Sequence, residues 1–123
     1  MNDLAALEVP GVAKLLRRAV RNLLENARRY SHGEITLELA CVGGRHAEIR
    51  VSDHGPGVPA EQRERIFEKF YRLPGASERS GGVGLGLALV RSIAERHDGR
   101  VHCAGRSDGA PGACFVLSLP LAS

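Results

Sequence analysis

Three stretches of the chain hold residues whose types and spacing could do chemistry. The first, "GGVGLGLALV" from Gly81 to Val90, puts Gly81, Gly82, Gly84 and Gly86 directly ahead of an apolar, helix-forming run. Glycine surrenders the most backbone freedom on folding, so four of them at a helix entrance raise the question of what approaches the chain so closely. Amides exposed at a helix N-terminus bind anions through their N–H groups and the helix dipole. A phosphate loop of the G-x-x-x-x-G-K-[ST] kind is excluded, because no lysine follows these glycines. A dinucleotide fingerprint fails too: its third glycine would fall on Leu87 or Leu89, and a polar loop, not a strand, comes before. Taken alone, the stretch fits an anion cradle or a glycine hinge with tight helix packing.

The second stretch is "NLLENARR", in which Asn22, Asn26 and Arg29 stand at i, i+4 and i+7, on one stripe of a helix. At about 100° per residue, that stripe borders the apolar face of the same helix. Asparagine is a mediocre helix former. An amide oxygen can coordinate Mg²⁺ and a neighbouring guanidinium can grip phosphate, while the plain alternative is a solvated polar flank. The third stretch is "VSDHGPG". Asp53 continues the phase of Ala47, Ile49 and Val51, so its carboxylate points to the core side and must be hydrogen-bonded there. It suits an amino group such as adenine N6, with Gly55 and Gly57 letting a flat ligand lie on the backbone. As a lone feature it also reads as a turn-initiating Asp.

The elements that must position these residues follow from periodicity. Val12, Leu15, Leu16, Ala19, Val20, Leu23, Leu24 and Ala27 predict an amphipathic helix between Pro10 and Ser31. "EITLELAC" and "HAEIRVSD" alternate around "VGGR" as a β-hairpin, with Ile35, Leu37, Leu39 and Cys41 on one face of its first strand. A short helical piece is expected over "AEQRERIFEKFYR", and "LPGASERSGG" has little to bury. A second helix runs through Leu87, Val90 and Ile93 to a Gly99 C-cap, followed by the strands "RVHCAG" and "ACFVLSLP". Helices on one face of a mixed, mostly antiparallel sheet, an α/β sandwich, is the economical packing.

Composition bounds the class. One domain over 1–123, 43% apolar and 25% charged, is that of an ordinary soluble globule. No apolar run matches a membrane span, and "MNDLAALE" has no signal-peptide n-region. Cys41, Cys103 and Cys114, without CxxC spacing, read as reduced core residues of a cytosolic protein. A net charge of +3 suits an anionic ligand. The scarcity of aromatics speaks against nucleic acid.

In chain order, "NLLENARRYS", "DHGPG", "IFEKFYR" and "GGVGLGLALV" resemble the N, G1, F and G2 boxes of the catalytic, ATP-binding domain of bacterial sensor histidine kinases. The likeness extends from about Leu15 to Pro120 and implies the Bergerat sandwich, shared with type II topoisomerases, Hsp90 and mismatch-repair ATPases. The implied cofactors are ATP and Mg²⁺. Asn26 matches the family's metal-coordinating asparagine, and Asn22 the residue that helps hold metal and phosphate. Arg29 stands where a phosphate-binding lysine is usual. Tyr30 matches an aromatic lining the nucleotide site, and Asp53 the adenine-reading aspartate, with Gly55 and Gly57 beside it. Phe67 and Phe70 match the F box, although with Tyr71 they equally suit anchoring in the core. Arg72 matches a basic residue that reaches the terminal phosphate, which makes Asn22, Asn26, Arg29 and Arg72 the implied catalytic set. Gly82, Gly84, Leu85 and Gly86 match the G2 box, and the stretch before them the ATP lid. Val83 departs from a usual Ser or Thr, and Cys114 from a Thr before Phe that helps bind adenine through water, which implies weaker ATP affinity.

The resemblance implies transfer of the ATP γ-phosphoryl group to a histidine on a separate dimerisation domain, with a response regulator engaged indirectly. Among His32, His46, His54, His97 and His102 only His97 precedes an acid, and a helix C-cap suits it better than a phosphoacceptor box. The chain is therefore expected to be an isolated, monomeric catalytic domain on the cytoplasmic side of a membrane-anchored sensor. No direct membrane contact is expected, nor autophosphorylation on its own. The alternatives are a Bergerat-fold ATPase or chaperone-like module and an anti-sigma serine kinase; both usually carry Glu where Asn22 stands.

Overall fold

The apolar stripe of the first helix dictates where it lies. In the computed structural model, which describes residues 11–31, 33–71 and 85–121, this helix, α1, runs Ala13–Tyr30, with Ala19, Leu23 and Ala27 fully buried. Arg28 and Arg29 occupy its last turn, where cations meet the carbonyl end of the dipole. Ser31 closes it: its N–H returns to Ala27 O at 3.0 Å, and its Oγ accepts the N–H groups of Gly33 and His54 at 3.3 and 3.2 Å.

The hairpin pairs β1 (Thr36–Val42) with β2 (His46–Ser52) through Gly43 and Gly44, whose φ of 61° and 70° are left-handed positions that suit glycine. α2 spans Gly86–Arg96, followed by β3 (Arg100–Gly105) and β4 (Ala113–Pro120). The described strands form one antiparallel sheet in the order β1-β2-β4-β3. Val51 faces Phe115, Ile49 faces Leu117 and Ala47 faces Leu119. These rows, with Val90, Ile93 and Ala94 of α2, make the core beneath the two helices, the expected α/β sandwich. Phe67 meets Phe115 edge-on, with ring centroids 6.3 Å apart.

Four local expectations are corrected. Residues 60–72 do not form a helix among those described: two 3₁₀ turns, Ala60–Gln62 and Arg65–Phe67, stand there, and adjacent Ile66 and Phe67 are both buried. Cys41 is exposed and Leu37 is 53% exposed, because the helices pack over β2, β3 and β4 and leave β1 at the edge. Cys114 is only half-buried, on the outer face opposite Ser52. Cys103 is the cysteine that fits the core reading. Burial pushes its thiol up to about 12, against the pull of Arg63, so it is no thiolate nucleophile.

The end of α2 supplies the fourth. The left-handed residue is Asp98 at φ 58°, not Gly99. Gly99 N–H returns to Ala94 O at 2.8 Å and Asp98 N–H to Glu95 O at 3.1 Å, a Schellman closure. Gly99 is needed for another reason: a Cβ there would collide with the Ser118 carbonyl. His97 is buried, with Nδ1–H donating to Ile93 O at 2.7 Å and Nε2 accepting the Val12 N–H at 3.0 Å. Gly11 packs on that ring, where a Cβ would collide with His97 Cδ2. No helix among the described residues is long and apolar enough to cross a membrane.

If the helices cover the sheet in this way, Leu23→Ala should cost about 2–5 kcal/mol by urea denaturation, and Leu37→Ala about 0.5 kcal/mol or less. Equal losses at the two positions would contradict the edge placement of β1.

Candidate functional site

Between the flank of α1, the loop after β2 and the first turn of α2 lies an open cleft of about 70 Å³. Asn26 and Asp53 supply its polar groups. Val58, Ile66, Tyr71, Leu87, Ala113 and Phe115 supply apolar and aromatic walls, and Pro56 and Gly57 one rim. A flat apolar slot with few convergent polar groups is the usual form of a small-molecule site.

Asp53 is the best-anchored group in it, only 3% exposed. Its N–H extends the β2–β4 pairing to Ala113 O at 2.9 Å. Its Oδ1 accepts the N–H of Gly55 at 2.9 Å and of Ala113 at 3.1 Å. No described residue donates to Oδ2. Two amide donors therefore hold the carboxyl plane and leave one oxygen for a ligand donor. Gly57, at φ 79°, sits where a Cβ would come 3.0 Å from Gly112 O, so the two loops meet backbone to backbone beside the cleft.

Asn22 and Asn26 share the half-buried flank of α1, as the spacing requires. Asn26 reaches the cleft, while Asn22 Nδ2 donates to Gly86 O at 3.3 Å and so joins α1 to the start of α2. Leu85, 39% exposed, precedes that helix. A Cβ on Gly86 would meet no atom within 4 Å, so nothing among the described residues demands glycine there. Arg29 is exposed on α1 outside the cleft lining. Phe70 is 67% exposed at φ 65° and also stands outside it, whereas Phe67 is core and Tyr71 lines the cleft. Ala113 and Phe115, not Cys114, are the β4 residues facing the cleft, since register turns Cys114 to the opposite face. Arg72, Gly82, Gly84, the side chain of Tyr30 and the expected lid lie outside the described residues.

Val58, Ile66 and Leu87 line the cleft without having been singled out for it from sequence. Their apolar side chains carry no chemical signal of their own. Among the described residues no three His, Cys, Asp or Glu side chains gather as metal ligands.

Residues 11–123 match the family described as histidine kinase-, DNA gyrase B-, and HSP90-like ATPase. The sensor protein RstB of Escherichia coli is 47% identical over 109 residues, covering 88% of this chain and 24% of that protein. The signal transduction histidine-protein kinase/phosphatase MprB of Mycolicibacterium smegmatis is 42% identical over 122 residues, covering 96% of this chain and 25% of that protein. The chain thus spans about a quarter of the length of these relatives. Among solved structures, a mycobacterial sensor histidine kinase MprB superimposes with a TM-score of 0.83 at 34% identity, over 92% of this chain and 76% of that one. Full-length ShkA, solved in complex with AMPPNP, gives a TM-score of 0.75 at 32% identity, over 89% of this chain and 22% of that one. The chain belongs to the histidine kinase-, DNA gyrase B- and HSP90-like ATPase family, as a catalytic ATP-binding domain of the sensor histidine kinase type.

Proposed function

We propose that this chain binds MgATP in the cleft and transfers the γ-phosphoryl group to a histidine on a separate dimerisation domain in two-component signalling. The observation that carries the reading is the wiring of Asp53. One carboxylate oxygen is held by two backbone amides, and the other meets no described donor, in the same cleft as Asn26. A carboxylate oxygen only accepts, so it suits the N6 amino group of adenine and rejects the O6 of guanine. Gly55 and Gly57 keep that edge clear, and the apolar walls take the faces of the base.

The donors at hand fit the metal. Asn26 offers a hard amide oxygen, with Asn22 one turn away. Mg²⁺ bound through one or two protein oxygens takes its other ligands from phosphate and water. The bound ion would neutralise phosphate charge during transfer. Arg29, exposed outside the base cleft, and Arg72 would serve the terminal phosphates as cations, and Tyr30 and Phe70 would contact the nucleotide beyond the cleft walls. The backbone of Gly82, Gly84, Leu85 and Gly86 would meet the phosphates; no described atom lies within 4 Å of a Cβ built on Gly86, which supports an open backbone there.

Asn22 also separates transfer from hydrolysis. Its amide is engaged with Gly86 O and supplies no carboxylate to activate water. The acceptor domain therefore provides the nucleophile and the in-line geometry, with a response regulator downstream. The relatives' names, a sensor protein and a signal transduction histidine-protein kinase/phosphatase, support a place within a longer signalling protein; the cytoplasmic side and a monomeric state when isolated are part of the same proposal.

Three outcomes are expected. Asp53→Asn should weaken ATP binding and narrow the preference for ATP over GTP in calorimetric titration; a wild type that binds both nucleotides equally contradicts the role. Asn26→Asp should weaken MgATP binding or abolish transfer without unfolding the domain; wild-type affinity with normal transfer removes Asn26 from the metal site. ATP radiolabelled at its γ-phosphate should leave this chain unlabelled alone and label a cognate dimerisation domain added to it. A stable phosphohistidine on this chain alone would refute the division of labour.

A further inference from the structure

Asp53 is gripped from a second direction, by a side chain distant from it in sequence. Arg106 opens the loop between β3 and β4, and its side chain is 13% exposed. Its Nη1 donates to the Asp53 carbonyl at 3.0 Å. Its Nε and Nη2 donate to the two carboxylate oxygens of Asp108, at 3.1 and 2.7 Å. Asp108 Oδ1 in turn accepts the Ala110 N–H at 3.0 Å, so the pair also shapes its own loop. Arg106, and after it that amide, draw the Asp108 carboxyl down to about 2. A pair built on a lowered carboxyl is complete above the ordinary carboxylate range and is lost only as pH falls through about 2.

Gly112 makes the arrangement possible. At φ 136°, a Cβ there would collide with the Asp53 carbonyl and lie 2.7 Å from Arg106 Cδ. The next residue, Ala113, supplies the amide that holds Asp53 Oδ1. The guanidinium thus fastens the main-chain carbonyl of the same residue whose side chain β4 fastens. Rotation of the peptide after Asp53 would displace the Gly55 amide that holds Oδ1; Arg106 on its carbonyl and Ser31 on the His54 N–H resist it from two sides.

We propose that Arg106, braced by Asp108, is a positioning residue for base recognition: it fixes the direction in which the remaining Asp53 oxygen meets the nucleotide. The proposal rests on the nucleotide-binding reading given above. A planar fork is required, because one face engages a carboxylate bidentately while the remaining nitrogen reaches a carbonyl; a lysine ammonium has no such geometry. The mechanism is orientation, not attraction of the anionic nucleotide, since the guanidinium charge is matched by Asp108.

The test is calorimetric titration of the full chain with MgATP and MgGTP, for wild type, Arg106→Ala, Arg106→Lys and Asp108→Asn, with thermal unfolding of each. Arg106→Ala should raise the Kd for ATP roughly tenfold, the scale of one lost charge-assisted hydrogen bond, and raise that for GTP much less. Arg106→Lys should not restore the preference. Asp108→Asn should weaken ATP binding in the same direction, although it removes a negative charge. It also carries the test if Arg106→Ala does not fold. An ATP affinity unchanged in Arg106→Ala overturns the proposal. So does an equal loss for ATP and GTP with a lowered Tm, the mark of general loosening, or tighter ATP binding in Asp108→Asn, the mark of a pure charge effect. A wild-type chain that binds neither nucleotide overturns the nucleotide reading itself, and this one with it.

Discussion

A buried carboxylate is costly unless its oxygens are hydrogen-bonded, and this fold is arranged around meeting that condition for Asp53. The residue lies one step past β2, so its donors must come from wherever the sheet turns back. They come from Gly55, two residues on, and from Ala113 at the start of β4, 60 residues away. The β2–β4 register that sets Val51 against Phe115 is also the register that delivers the Ala113 amide to Oδ1. A slip by one residue would turn the core rows outward and strip the carboxylate of a donor in the same stroke.

The helices carry a similar double duty. The stripe of Ala19, Leu23 and Ala27 buries α1 against the sheet, and this burial sets the rotation at which Asn22 and Asn26 emerge on its flank. Small alanines at two of these positions let α1 lie close to its neighbours. The polar flank then borders α2 and the cleft, where Asn22 meets Gly86.

Much of this was legible in the residues, and the exceptions have physical causes. The alternation of Ala47, Ile49 and Val51 runs into Asp53 without a break of phase, so the burial of that carboxylate followed from local pattern alone. β4 offers no such pattern: Ala113 and the run from Phe115 to Leu119 are buried, on both faces, and only the pairing with β2 shows that Ala113 faces the cleft and Cys114 does not. Glycine is the natural choice for a left-handed helix end, yet Asp98 takes that role, and Gly99 answers a separate demand, the Ser118 carbonyl that leaves no room for a Cβ. Ile66 and Phe67 are buried together in a 3₁₀ turn, and two such turns replace the expected helix. Arg106 gave no signal, since its partner carbonyl is 53 residues distant.

The attachment of α2 at both ends has a mechanical consequence. Asn22 holds the carbonyl of Gly86 at one extremity, and His97 takes the Val12 N–H at the other. An 11-residue helix is a stiff rod about 16 Å long, and a rod pinned near each end to one neighbour cannot swing from a single pivot. Both pins go to α1, so α2 is held against sliding along it as well. With Gly11 pressed on the His97 ring, a tug on the backbone entering α1 is passed along an unbroken ladder of peptide hydrogen bonds to the glycine that opens the helix. The entrance of α1 and the mouth of the cleft are two ends of one lever.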